Sequence, residues 1–344
     1  MIPVQGYAAL SENTALTPFS FERRDVGEQD VLIDIHYCGI CHSDIHHVRY
    51  EWGKGLFPMV PGHEITGIVH CVGKNVSHFK PGDRVGVGCY VDSCRTCENC
   101  LQGMEQYCHE GMTKTYSGID RDGRVTQGGY STQIVVDENY ILHIPDNLPL
   151  DAAAPLLCAG IALYSALKYW HAGPGKKIAI VGLGGLGHVG VKIAHALQAN
   201  VSVFSHSPEK MADSIRLGAD NFYITSDSSI FKNLESTFDL VLCTVSASID
   251  WNVYLNLLKR DGTMVLIGIP DKNVPVSAFS LIGCRRSLAG SLIGSIKETQ
   301  EMLDFCSQHN ITADIELIPM QDVNEAYARV LNSDVRYRFV INTQ

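Results

Sequence analysis

Cysteine and histidine fall along this chain in two patterns that could bind a metal. Cys94-Arg95-Thr96-Cys97-Glu98-Asn99-Cys100 sets three thiols at C-x2-C-x2-C spacing, and Cys108 follows after a gap of seven residues. Four thiolates on one short loop can close a tetrahedral shell around Zn²⁺ and so hold a fold together. An iron–sulfur cluster uses the same four ligands, and disulfide pairing is the third reading. The second pattern is scattered: Cys41-His42-Ser43-Asp44-Ile45-His46, then Gly62-His63-Glu64, then Cys158 within Pro155-Leu156-Leu157-Cys158-Ala159-Gly160. Spacing this wide establishes no site by itself, since a lone cysteine is more often a small core residue than a ligand.

A third motif points to a phosphate-bearing ligand. The apolar run Ile178 to Val181 leads into Gly182-Leu183-Gly184-Gly185-Leu186-Gly187. Val189, Ile193 and Leu197 then recur at helical spacing, and a second apolar run, Val201 to Phe204, follows. In a strand, turn, helix, strand context the glycines let the backbone approach a pyrophosphate, and the helix N-terminus offers free N–H groups to the anion. An NAD site usually places a carboxylate about 20 residues beyond the glycines, on the ribose. Here the corresponding tip reads Ser205-His206-Ser207-Pro208-Glu209-Lys210, two hydroxyls and a lysine with no acid at the tip itself. That set suits a 2′-phosphate. NADP(H) is the expected cofactor, held by Gly182 to Gly187 with Ser205, His206, Ser207 and Lys210. The alternative leaves Lys210 solvated and puts Glu209 on the ribose.

These motifs need a framework of two kinds. From Met1 to about residue 149 the chain reads as β-rich, with runs such as Val31 to Ile35, Thr66 to Val72 and Ile134 to Val136 between Gly, Pro and Asp turns. From about 150 to 289 strand and helix alternate, the strand candidates being Ile178 to Val181, Val201 to Phe204, Asn221 to Ile224, Leu240 to Cys243 and Met264 to Ile267. Alternation of this kind implies a doubly wound parallel sheet, so the fold class is α/β with a Rossmann cofactor domain. After Gly290 a helical stretch, Lys297 to Gln308, and a last run, Tyr337 to Ile341, could return to the first domain, leaving the chemistry in a cleft between the two. With 344 residues, 45% hydrophobic and 19% charged, the chain can form two separate cores. A formal charge of −10 argues against nucleic acid and anionic membranes as partners. No run of about 18 apolar residues and no signal-like N-terminus is seen, and twelve clustered cysteines fit metal ligation in a reduced compartment, so a cytoplasmic location is expected.

Six motifs in order, Gly39 to Asp44, Pro61 to Glu64, the four-cysteine loop, Pro155 to Gly160, Gly182 to Gly187 and Asp334 to Val340, resemble the zinc-dependent medium-chain alcohol dehydrogenases. The similarity spans nearly the whole chain and is greatest for the cinnamyl alcohol dehydrogenase and microbial aldehyde-reductase branch. It implies a GroES-like β domain and two zinc ions per chain. Cys41, His63 and Cys158 become the catalytic zinc ligands, Glu64 lies nearby, and Asp44 bonds the His63 ring. The four-cysteine loop holds the structural ion. The chemistry implied is hydride transfer between the nicotinamide and a carbonyl polarised by zinc, with Ser43 and a surface histidine, His46, passing the proton. Small-molecule alcohols and aldehydes are the implied substrates, and a homodimer is implied as well, with strand candidates around Val276 to Phe279 pairing across a two-fold axis.

Two departures bear on specificity. Ala162 stands where the branch commonly has a threonine near the nicotinamide, and Lys114 precedes Thr115-Tyr116 where plant members have a pocket tryptophan. Broad aldehyde reduction is therefore expected in place of a lignin-precursor preference, with Trp52, Leu56 and Tyr90 as candidate pocket walls. An NAD-dependent polyol or formaldehyde dehydrogenase is the competing enzyme. A non-catalytic zinc-stabilised relative is a further reading, which the full complement of ligand cysteines and histidine disfavours.

Overall fold

The computed structural model describes residues 1–270 and 272–344. They form two compact units, 1–161 with 294–344, and 162–293. These limits differ from boundaries at 149 and 289. The helical turns Leu150–Ala153 and Ala154–Leu157 belong to the first unit, where the Thr66 hydroxyl donates to the Leu150 carbonyl at 2.8 Å and the Ala313 amide to that of Ala152 at 3.1 Å.

The first unit is built about Asp30–Gly39, a strand rich in the β-branched residues that suit a pleated, buried surface. It pairs antiparallel with Ile65–Val72 along one edge. Its other edge is shared: Gln133–Asp137 takes residues 30–34 and Arg338–Asn342 takes Tyr37 to Gly39. Ile315–Pro319 runs parallel to Arg338–Asn342 and extends the sheet, while Arg84–Val87 and Leu142–His143 extend the opposite side. The helix Ile296–His309, capped by Ser295 accepting from the Glu298 amide, covers the span read as helical at Lys297 to Gln308.

The second unit is a six-stranded parallel sheet in the order Asn221–Ile224, Asn200–Ser205, Lys177–Val181, Phe238–Cys243, Leu258–Leu266, Ser287–Gly290. Numbered along the chain this order is 3-2-1-4-5-6, which reverses direction between Lys177–Val181 and Phe238–Cys243, the crevice where such sheets bind ligands. Phe204, Phe238, Trp251 and Tyr254 fill the core on one face. All five strand candidates for this sheet are strands.

Of the run read as a strand at Val276 to Phe279, Ala278 and Phe279 are helical, while Ser277 before them is extended. Ser277 heads a short helix, Ala278–Ile282. The Asn252 side-chain oxygen accepts from the Ser277 amide at 2.8 Å and the Ser280 hydroxyl at 3.0 Å, which commits the backbone to a turn despite its β-branched residues. No single helix among the described residues is long and apolar enough to cross a membrane.

Candidate metal and dinucleotide sites

Cys41, the adjacent pair His63 and Glu64, and Cys158 come together from three places in the first unit, with one ligand atom of each within 4.8 Å of the others. Cys41 caps the helix His42–Val48 at its N-terminus, and Asp44, in the first turn, reaches back to accept from the Cys41 amide at 2.9 Å. The same carboxylate accepts from the Gly62 amide at 3.1 Å, the Tyr130 hydroxyl at 3.1 Å and His63 Nδ1 at 3.0 Å. A carboxylate can only accept, so Nδ1 of His63 carries its proton and Nε2 keeps its lone pair for a cation.

The two sulfurs are complementary. Cys158 donates to Cys41, which holds Cys41 well below the usual thiol range and raises Cys158 well above it. A divalent ion in place of that shared proton would bind both sulfurs, and with His63 the set matches the Cys2His arrangement that leaves a fourth position open.

Glu64 is fully buried, and both of its oxygens lie 2.6 Å from the same amino nitrogen of Arg338. Arg338 also donates to the Ile40 carbonyl at 2.8 Å. Burial pushes the Glu64 carboxyl up to about 7, with the Arg338 charge opposing the rise. Sequence reasoning placed Arg338 in a motif without a role; its pairing with Glu64 spans 274 positions and leaves no local signal.

Ser43 Oγ lies 3.5 Å from Cys41 Sγ. His46 was expected at the surface, but it is only 8% exposed, because its ring stacks on Trp52 at 4.6 Å. Its Nδ1 pairs with Glu51, Nε2 has no partner among the described residues, and the group that faces water is Glu51. Trp52 thus adjoins this cluster. Tyr90 does not serve as a wall in the same way: it packs edge-on against Tyr140 at 5.9 Å and donates its hydroxyl to the Gly294 carbonyl at 3.4 Å. Leu56 bonds through its amide to the Ser117 hydroxyl at 2.9 Å.

The four loop cysteines, Cys94, Cys97, Cys100 and Cys108, also have all their sulfurs within 4.8 Å of one another, and none is in a disulfide. Cys94 and Cys100 are 3.9 Å apart and Cys97 and Cys100 are 3.5 Å apart. Four sulfurs at about 2.3 Å from one tetrahedral ion stand about 3.8 Å from each other, so the spacing suits a single ion and is too tight for a multi-iron cluster. Backbone N–H groups of Thr96 and Cys97 bring Cys94 to about 6, and those of His109 and Cys100 lower Cys97. Ser93 Oγ is 3.2 Å from Cys100 Sγ and 2.8 Å from the Tyr140 hydroxyl, joining the loop to the core.

In the second unit the glycine loop leaves Lys177–Val181 and enters the helix Gly187–Ala196. Gly182 has φ +97°, and a Cβ on Gly187 would stand 2.0 Å from the Gly182 carbonyl, so neither tolerates a side chain. A Cβ on Gly184 would meet nothing within 4 Å, which leaves its backbone bare to a close-lying ligand. Lys210 is 8% exposed, and its ammonium donates to the Leu183 carbonyl at 3.0 Å, beside the loop. Ser205 is buried and accepts from the Ser207 amide at 3.2 Å; His206 and Glu209 are exposed. A cradle of backbone N–H groups with a lysine turned into it fits the phosphates of a dinucleotide.

A 3-2-1-4-5-6 parallel sheet with a bare glycine loop, in a chain that also gathers a Cys2His set and a four-cysteine loop, is the arrangement of a dinucleotide-linked oxidoreductase with side chains placed to hold metal. The chain belongs to the zinc-binding alcohol dehydrogenase family: residues 27–146 match the alcohol dehydrogenase GroES-like domain, and residues 185–308 match the zinc-binding dehydrogenase domain. It is 59% identical over 344 residues to NADP-dependent alcohol dehydrogenase C 1 of Mycolicibacterium smegmatis, covering 100% of this chain and 99% of that one. Among solved structures, a cinnamyl alcohol dehydrogenase from Sorghum bicolor aligns with a TM-score of 0.96 at 45% identity, over 99% of this chain and 97% of that one. A cinnamyl alcohol dehydrogenase from Helicobacter pylori, complexed with NADP(H), aligns at 0.93 with 43% identity, over 99% and 98%. The family and fold class read from the six motifs are the ones found.

Proposed function

We propose that this protein is an NADP(H)-dependent zinc alcohol dehydrogenase working chiefly as a broad aldehyde reductase, cytoplasmic and homodimeric, with two zinc ions per chain. The observation that carries this reading is the meeting of Cys41, His63 and Cys158 with Asp44 fixing the His63 tautomer. Zinc bound there supplies Lewis acidity toward the carbonyl oxygen, and the nicotinamide supplies the hydride. Cys41 and Cys158 hold the ion as thiolates, and Glu64, neutralised by Arg338, keeps the surroundings from accumulating charge. Ser43 donates the proton that the product alcohol needs. His46 replenishes it, and Glu51 at the exposed end of that pair exchanges with solvent. Cys94, Cys97, Cys100 and Cys108 hold the second ion.

Lys210 supports NADP(H) over NAD. A buried ammonium at the glycine loop offers the 2′-phosphate a counter-charge, whereas Glu209 is exposed. Metal analysis of the purified protein together with NADPH oxidation on a panel of aldehydes tests the reading. Two zincs per chain and turnover of benzaldehyde-type substrates are expected. One zinc or none, or greater efficiency with NADH, overturns it.

A further inference from the structure

Asp44 is fully buried, and among the described residues no lysine or arginine pairs with it, so N–H and O–H donors alone hold its carboxylate. They are shared two to an oxygen. Oδ1 takes the Gly62 amide and His63 Nδ1, and Oδ2 takes the Cys41 amide and the Tyr130 hydroxyl. The first three lie in the segments that carry Cys41 and His63; Tyr130 comes from elsewhere. Its backbone is nonetheless strapped to the His63 segment, for the Tyr130 amide donates to the Pro61 carbonyl at 3.0 Å and the Gly129 amide to that of Gly62 at 2.9 Å. Gly62, at φ +102°, leaves room for the ring, since a Cβ there would stand 2.7 Å from Tyr130 Cδ1. Behind Tyr130 lies Tyr327, whose hydroxyl donates to the Tyr130 oxygen at 3.4 Å. Tyr327 sits on the helix Val323–Leu331, which Asn324 clamps to Leu16 with bonds of 2.9 and 2.8 Å.

We propose that Tyr130, backed by Tyr327, is a positioning residue for the metal centre: it turns the Asp44 carboxylate so that Oδ1 meets His63, and so keeps the His63 ring turned toward Cys41 and Cys158. A phenol keeps its proton at ordinary pH, so the Tyr130 hydroxyl can donate to the carboxylate while its oxygen accepts from Tyr327. Without that donor the Cys41 amide alone holds Oδ2, and the carboxylate gains freedom about its Cβ–Cγ bond. This inference rests on the reading of Cys41, His63 and Cys158 as zinc ligands and deepens it.

The test measures zinc retained by the holoenzyme against a chelator series, with Cys158→Ser as the reference that holds only the four-cysteine ion. Tyr130→Phe, which keeps the ring and loses the hydroxyl, should weaken retention of the catalytic ion roughly tenfold, the low end for a partner behind a ligand. Tyr327→Phe should weaken it roughly threefold, the scale of one long neutral hydrogen bond. Because Tyr327 acts through Tyr130, the double variant should match Tyr130→Phe. The four-cysteine ion should stay in every variant. Effects that multiply in the double variant overturn the part given to Tyr327. Retention in Tyr130→Phe equal to that of the unaltered protein, or loss of both ions together, overturns the inference while leaving the zinc reading standing. An unaltered protein that holds no more zinc than Cys158→Ser refutes that reading, and this inference with it.

Discussion

Arg338 holds both oxygens of Glu64 with one amino nitrogen, 2.6 Å from each, and neither residue is more than 4% exposed. A buried ion pair contributes little net stability, but breaking it by removing one partner strands a charge. Arg338→Met is therefore expected to cost about 3–5 kcal/mol in denaturant unfolding. Adding Glu64→Gln to that variant should recover part of the loss. A cost below about 1 kcal/mol for Arg338→Met would mean that the pair does not form.

Asp44 is bound by four donors and dictates which nitrogen of His63 is free. Asp44→Asn presents an amide that can donate as well as accept, so the tautomer is no longer fixed. Retention of the catalytic ion against a chelator should weaken about 10- to 100-fold, the usual cost of losing a partner behind a ligand. Zinc in the four-cysteine loop should be unaffected, so titrating both ions separates this outcome from general unfolding. Loss of both together would count against it.

Lys210 should discriminate between cofactors. Lys210→Ala is expected to raise KM for NADPH roughly tenfold or more, the scale of one charge-assisted hydrogen bond, and to change KM for NADH much less. Parallel increases for both cofactors would assign Lys210 to the pyrophosphate or to loop structure instead.

His46 and Glu51 make a separate case, because the unpartnered Nε2 of a buried ring implies something for it to exchange with. His46→Ala should slow turnover near neutral pH by up to roughly 100-fold, the low end of what a positioned proton-transfer group contributes. Zinc content should not change. Glu51→Gln should reproduce part of the defect, since it no longer fixes the ring. A pH–rate profile identical to that of the unaltered protein would remove His46 from proton transfer.

Much of this was legible in the residues because it is local. The glycine loop, the four-cysteine loop and the strands of the parallel sheet each lie within a short window, where periodicity and spacing suffice. Cys158 is different, since a single cysteine in an apolar run carries no metal signature and only similarity to a family singled it out. Tyr130 on Asp44 and Arg338 on Glu64 were invisible, their partners lying 86 and 274 residues away. Two local readings failed for physical reasons. The run near Val276 looked like a strand to Phe279, but Asn252 holds Ser277 and Ser280 at the head of a helix that takes in Ala278 and Phe279. Tyr90 is aromatic and near the metal-binding motifs, yet its ring completes the packing beneath Tyr140.

The strand Arg338–Asn342 lies along Asp30–Gly39, so the chain must be made nearly to its last strand before the sheet around Glu64 can close. At about 5–20 residues per second, the ribosome needs roughly 15–55 s to travel from Glu64 to its counter-charge. Throughout that interval the acid has no guanidinium to face, and the half-made β unit must hold it hydrated. The pairing that offsets Glu64 therefore waits on a strand made some 274 residues later, whereas the four cysteines of the loop, encoded within a short span, are together early.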